Sequence, residues 1–273
     1  MSTRPLTLMA VHAHPDDEAT GTGGVLARYA AEGIRTVVVT CTDGRWGDGP
    51  GGTRSGQPGH DLDQVVAARQ VELEASCAVL GVDALEVLGY ADSGMAGWDA
   101  NDAPGSFWST PVDEAAVRVA ELIRRYEPDV VVTYDENGFY GHPDHVQAHR
   151  VTMAALAATG SVAKVYWTTA PRSFMASFAE MAEAAGIEFD EPGEPMPEIG
   201  LPDEEISTWV DISAVVGRKR QALAAHASQE DAAFFLRIPE ELFARAMGTE
   251  HFVRVQDTTG AALPEDDLFA GLR

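Results

Sequence analysis

The sequence is poor in cysteine, in basic residues and in long apolar runs, and each shortage excludes a class of protein. Only Cys41 and Cys77 occur in 273 residues, too few for a disulfide framework. Cys41 falls in an apolar, β-branched run and Cys77 in an Ala-rich helical pattern, so both read as small buried side chains rather than nucleophiles. Nineteen Lys and Arg stand against 43 Asp and Glu, a formal charge of −24. Nucleic-acid binders present basic surfaces and anionic lipid attracts basic segments, so neither nucleic acid nor a membrane is an expected partner. A neutral or cationic small molecule is the easier expectation. No stretch reaches the ~20 apolar residues of a membrane span. The N-terminus lacks a basic region followed by an apolar core, so no signal peptide is read there and a cytoplasmic location is expected.

What is present suffices for a full core, with 45% hydrophobic residues. Short apolar runs alternate with longer amphipathic ones, the pattern of a parallel sheet covered by helices. Strands are expected at 6–13, 35–42, 85–88, 130–134, 162–168 and 206–212. Helices are expected at 23–32, 63–80, 112–126, 142–158, 174–185 and 215–226. The expected fold is α/β and Rossmann-like, with helices on both faces of a mainly parallel sheet. Residues 1–170 form the expected catalytic domain. Residues 171–273 complete it and cap the site, with 234–236 and 252–255 closing a smaller C-terminal layer. The Gly-rich loop 43–59 is either an excursion or a substrate-lining lid. Residues 191–205, rich in Pro, read as a loop or hinge.

Ionisable residues crowd at two strand ends. His14-Pro15-Asp16-Asp17-Glu18 follows the first strand, and His142-Pro143-Asp144-His145 follows the strand 130–134. In open α/β sheets, ligands gather outside the carboxyl ends of parallel strands. His14 and Asp17 lie three residues apart, as do His142 and His145, so each pair can aim at one point. A catalytic zinc site takes about three protein ligands and keeps one position open. On the residues alone, plainer readings stand beside this one. The motifs can be salt-linked polar clusters, and Asp16 or His142 can simply cap a helix. Tyr140 can be one aromatic in a Gly-flanked loop. Arg69 can be a helix-surface ion pair, and Met95 can simply pack. His12, His60, His226 and His251 read as structural, and His149, one turn beyond His145, as an outer support at most.

The two motifs resemble those of the PIG-L/LmbE-like zinc-dependent N-deacetylases, A-H-P-[DE]-D-E and H-x-D-H, here Ala13 to Glu18 and His142 to His145. The segments from Tyr134 to Gly138 and from Asp92 to Met95 are similar to the mycothiol-pathway branch of that family. The resemblance implies one zinc, or iron in the cell, on His14, Asp17 and His145. It implies Asp16 as general base, His142 and Tyr140 facing the acetyl carbonyl, and Asp144 orienting His142. Arg69, Asp92 and Met95 would hold the sugar, and Glu18 would support the first motif. The implied reaction removes the N-acetyl group of an N-acetylglucosamine-type sugar, in the first place N-acetylglucosaminyl-inositol. The implied partner is that small amidated sugar; a homo-oligomer is left open. Same-chemistry rivals are a mycothiol S-conjugate amidase and a natural-product glycoside N-deacetylase. The chain departs from the branch at Ala19, where Ser is usual, and in the 43–59 loop.

A rival of another class is a dinucleotide- or sugar-binding protein without catalysis. Gly21-Thr22-Gly23-Gly24-Val25-Leu26 supplies two glycines of G-x-G-x-x-G but Leu26 in the third place, and it follows the His-Asp motif instead of the strand directly.

Overall fold

The computed structural model describes residues 4–175 and 199–273. Seven strands form one sheet: β1 (Thr7–His12), β2 (Arg35–Thr42), β3 (Ala84–Tyr90), β4 (Val130–Tyr134), β5 (Lys164–Thr169), β6 (Thr208–Asp211) and β7 (Thr249–Asp257). Their spatial order is β3-β2-β1-β4-β5-β7-β6. The first five pair in parallel and share the 3-2-1-4-5 order of doubly wound sheets. A parallel strand covered on both faces must be apolar at successive positions. Accordingly β1 and β4 are buried along their whole length. Leu8 and Ala10 of β1 join one core cluster, and Met9 and Val11 join the other.

The helices divide between those two faces. On one lie α1 (Asp17–Gly21), α2 (Gly23–Ala31), α3 (Leu62–Leu80) and, from the C-terminal part, α7 (Val216–Ala225). On the other lie α4 (Val112–Tyr126) and α6 (Pro143–Thr159), with the four-residue α5 (Gly138–Gly141) before α6. Two further helices, α8 (Glu230–Arg237) and α9 (Glu240–Ala246), follow α7. Local chemistry sets the ends of α3: Asp61 accepts from the N–H groups of Asp63 and Gln64, and Gly81 closes it at φ 80.

Expected and observed elements coincide except in a few places. β3 is longer than 85–88 and β6 shorter than 206–212. The C-terminal strands do not build a separate small layer. β7 inserts antiparallel between β5 and β6, so the main sheet continues to its edge. All but the first two residues of the helix expected at 174–185, and most of the loop at 191–205, fall outside the described residues. Among the described residues no helix is long and apolar enough to cross a membrane.

The dinucleotide reading is overturned at α2. The N–H groups of Gly24 and Val25 donate to the Glu250 carboxylate at 2.7 and 2.8 Å. A helix N-terminus offers such groups to a phosphate; here an internal carboxylate takes them. Gly24 is needed for that approach, because a Cβ there would stand 2.6 Å from Ile212 Cγ1 and 2.8 Å from Glu250 Oε1.

Candidate active site

The carboxyl ends of β1 and β4 bring both motifs together. His14 Nδ1 lies 3.2 Å from His145 Nε2 and 3.4 Å from Asp17 Oδ2, and those last two atoms are 3.5 Å apart. Four ligands held at ~2.0–2.1 Å around a tetrahedral ion would be about 3.4 Å from one another. The tautomers agree with a cation at that point. His145 Nδ1 is 3.2 Å from the Gly138 carbonyl, an acceptor, so its proton sits there and Nε2 keeps a lone pair. His14 Nε2 faces Asp144 Oδ2 at 3.2 Å and Asp92 Oδ1 at 3.6 Å, which puts its proton on Nε2 and frees Nδ1. His14, His142, Asp92 and Asp144 also converge closely enough to hold an ion. Since Asp92 and Asp144 occupy the far nitrogen of His14, they fit better as an outer carboxylate support.

The electrostatics show a centre short of positive charge. Burial opposes charging His14, yet Asp92, Asp144 and Asp17 overcome it and raise the ring well above its ordinary value. Burial likewise opposes the Asp17 carboxylate, but His145 and His14 hold it well below the usual range. A proton on His14 thus occupies the role a divalent cation would take. The residues present fit a metal.

Asp16 faces elsewhere. It adopts a left-handed backbone at φ 112 and ψ −27, a conformation costing about 1–3 kcal/mol for a non-glycine residue. This turns its carboxylate to Arg69, with Arg69 Nη2 donating to Asp16 Oδ2 at 2.7 Å. Burial pushes Asp16 up; Arg69 pulls against it and Asp17 adds repulsion, leaving it at about 7. No side chain at Asp16 caps α1, so the capping alternative does not hold.

His142 does cap α6: the Asp144 N–H donates to its Nδ1 at 3.1 Å. That bond places the ring proton on Nε2. Burial, with His14 and His145 adding to it, lowers His142 to about 2 and keeps it neutral. One expectation needs correcting here. The Asp144 carboxylate does not orient His142 or favour its charged form; it accepts from the Ser93 N–H at 2.8 Å and faces His14.

The remaining named residues lie around the same cavity, which has a volume of about 670 Å³. Tyr140 stands edge-on to His145 with ring centroids 5.0 Å apart, and burial raises its phenol so that it stays protonated. Neighbouring Phe139 has φ 68, a second strained position at the rim. Arg69 is only 3% exposed and so is no surface ion pair. Besides Asp16 it bonds the carbonyls of Gly44, at 2.7 Å, and Pro15. The 43–59 loop wraps it closely, since a Cβ at Gly44 would stand 2.5 Å from Arg69 Nη1. Asp92 accepts from the Gly94 N–H at 2.8 Å, and Met95 lies half-exposed at the cavity mouth. Trp46 and Gly47 of the loop line the cavity.

Sequence reasoning missed two contributors. Tyr134 donates from its hydroxyl to Asp17 Oδ2 at 2.7 Å and stacks on His145 at 4.3 Å. Its place at the end of β4 was the available signal. An apolar wall from Met175, Phe234, Phe235 and Met247 completes the cavity, with no local signal.

Fold and cluster together define an α/β protein with a buried centre suited to a divalent metal at its strand ends. The chain belongs to the PIG-L family, described as GlcNAc-PI de-N-acetylase, which it matches over residues 9–156. It is 42% identical over 278 residues to the 1D-myo-inositol 2-acetamido-2-deoxy-alpha-D-glucopyranoside deacetylase of Acidothermus cellulolyticus, covering 97% of this chain and 95% of that one. Its fold is similar to that of the 4-carboxy-2-hydroxymuconate hydratase GalB from Pseudomonas putida, at TM-score 0.62 and 22% identity, covering 94% and 99% of the two chains. It is also similar to the N,N'-diacetylchitobiose deacetylase from Pyrococcus horikoshii, at TM-score 0.58 and 19% identity, covering 92% and 84%. A hydratase and a deacetylase on one fold mean that the site, and not the fold, must carry the argument for a reaction.

Proposed function

We propose that this chain hydrolyses the N-acetyl group of N-acetylglucosaminyl-inositol, releasing acetate and the free amine. The carrying observation is the convergence of His14 Nδ1, His145 Nε2 and Asp17 Oδ2 beside a separate carboxylate, Asp16, poised near neutrality. The near full-length likeness to the Acidothermus deacetylase supports the substrate.

His14, Asp17 and His145 would hold zinc, which suits two imidazoles and a carboxylate with a place left open, or iron in the cell. When bound, the metal polarises the amide carbonyl and makes its water a better acid. Asp16 takes a proton from the attacking water. The neutral His142 donates its Nε2–H to the carbonyl oxygen as negative charge builds there, and the protonated Tyr140 adds a second donor. Asp16, which then carries the proton taken from water, returns it to the nitrogen as the C–N bond breaks, while His142 stays neutral and keeps its Nε2–H on the oxygen. Asp92, Met95 and Arg69 bound the side on which the sugar is placed, Arg69 mainly by holding Asp16. The C-terminal part, residues 171–273, caps the site in this reading, and the reaction is placed in the cytoplasm.

The apolar wall of Met175, Phe234, Phe235 and Met247 favours a second reading, an amidase for conjugates or glycosides with a bulky apolar group. Amine release by metal-loaded protein decides between them. Faster turnover of N-acetylglucosaminyl-inositol than of mycothiol S-conjugates is expected; the reverse order would favour the second reading.

A further inference from the structure

Asp16 is held at two places, its carboxylate by Arg69 and its left-handed backbone by a second contact. Its N–H donates to Glu18 Oε2 at 2.9 Å. The other oxygen of that fully buried carboxylate accepts from Ser76 Oγ at 2.5 Å and from His226 Nε2 at 2.7 Å. His226 follows the end of α7, 208 positions from Glu18. It is buried, and its Nδ1 has no partner among the described residues. A buried imidazole with one nitrogen unsatisfied costs stability that an apolar side chain would spare. Such a residue is retained where a buried carboxylate needs its donor.

The same turn grips two more parts of the site. Ser228 donates from its N–H and its hydroxyl to Glu72 of α3, both at 2.8 Å. Gln229 Nε2 donates to the Asp48 carbonyl at 2.9 Å, and its Oε1 accepts from the Asp48 N–H at 3.1 Å. One turn therefore fastens the start of α1, the helix that carries Arg69, and the 43–59 loop. His226 has the most direct line to the site, through one carboxylate to the Asp16 peptide.

We propose that His226 is a positioning residue: through Glu18 it locks the backbone of Asp16 so that the Asp16 carboxylate faces the cavity. The inference rests on the reading of Asp16 as general base. It is tested in the metal-loaded protein with His226→Leu, His226→Gln and, as a control for lost stability alone, Tyr29→Phe. A Gln amide can present an N–H near the place of the imidazole Nε2–H, whereas Leu cannot. His226→Leu should lower kcat on the order of 10²-fold, the effect of a misplaced reacting group, with KM and metal content near wild type. His226→Gln should recover most of that loss. Tyr29→Phe removes a buried hydroxyl that bonds Asp267 and the Leu268 N–H away from the cavity, and should lower Tm while keeping kcat. A crystal structure of His226→Leu should show Asp16 out of positive φ with His14 and His145 in place, a readout independent of who the base is. If His226→Leu does not fold, Ser76→Ala, which removes the other donor to the same oxygen, carries the test with a smaller shift in the same direction. Wild-type kcat with Asp16 still at positive φ would overturn the proposal, as would an equal fall of kcat in Tyr29→Phe. A displaced Asp16 with unchanged kcat would uphold the lock and refute the base, which Asp16→Asn tests separately.

Discussion

The two His-Pro-Asp motifs are nearly identical in letters and opposite in backbone. In the second, Pro143 opens a regular helix and His142 caps it, so Asp144 lies in the first turn and faces His14. In the first, the chain turns left-handed at Asp16 before α1 begins, and the two adjacent carboxylates part. Asp17 turns in to His14 and His145, while Asp16 turns out to Arg69. The difference teaches that a residue's job here is set by the backbone that aims it. One helical motif supplies two aligned imidazoles, and one strained motif separates a ligand from a base.

Removing a ligand should break the comparison most completely. His145→Ala takes from the second motif the nitrogen that the first motif's His14 and Asp17 converge on. Metal content and activity should fall together to background. Normal metal content in this variant would remove the centre as described.

Asp16→Asn is the next largest effect and sharpens the contrast within the first motif. It should keep metal and substrate affinity while turnover drops by roughly 10²–10⁴-fold, the usual general-base contribution. The protonated form of Asp16 cannot act as a base, so wild-type activity should be lost as pH falls through its pKa. Burial holds that value at about 7, and a cation bound nearby favours the charged form and moves the acidic limb lower. Asp16→Asn should abolish this limb. Near-normal turnover in Asp16→Asn would place the base elsewhere.

Much of this site was legible in the sequence because its signals are local. The apolar runs of β1, β2 and β4 declare elements, and a parallel sheet brings the residues just beyond each strand to one edge. The illegible parts are those decided by distant partners. Nothing around Thr249–Asp257 says that β7 will pair antiparallel with β5, since a strand's neighbour is chosen by the whole sheet. Asp144 reads locally as a partner for His142, two residues away, yet its carboxylate finds His14, 130 positions earlier. Arg69 reads in the sequence as either a surface ion pair or a sugar contact; it is buried because the glycines of a loop 25 positions earlier let the chain close over it.

Tyr134 allows the finest cut between the two motifs. It ends β4 and leads into the second motif, yet its hydroxyl serves the first: it donates to Asp17 Oδ2 at 2.7 Å and accepts from the Ala13 N–H at 2.9 Å. Its ring serves the second, stacking on His145 with planes 22° apart. Tyr134→Phe keeps the ring and deletes only the hydroxyl. The packing around His145 should therefore survive, while Asp17 loses one of the donors that fix it and the Ala13 N–H loses its acceptor. Leaving one buried donor unpaired should cost stability of about 1–3 kcal/mol. Loosening a ligand's support should weaken metal affinity by roughly 10-fold, at the low end for a group that holds a ligand in place. Excess metal should then restore turnover, because neither Asp16 nor His142 has been touched. Metal titration of Tyr134→Phe followed by calorimetry reads affinity directly. Unchanged affinity would mean that Asp17 is held by its bond from the His14 N–H, at 2.7 Å, without help from β4. A loss of turnover that metal cannot restore would mean that the hydroxyl acts on the reaction itself.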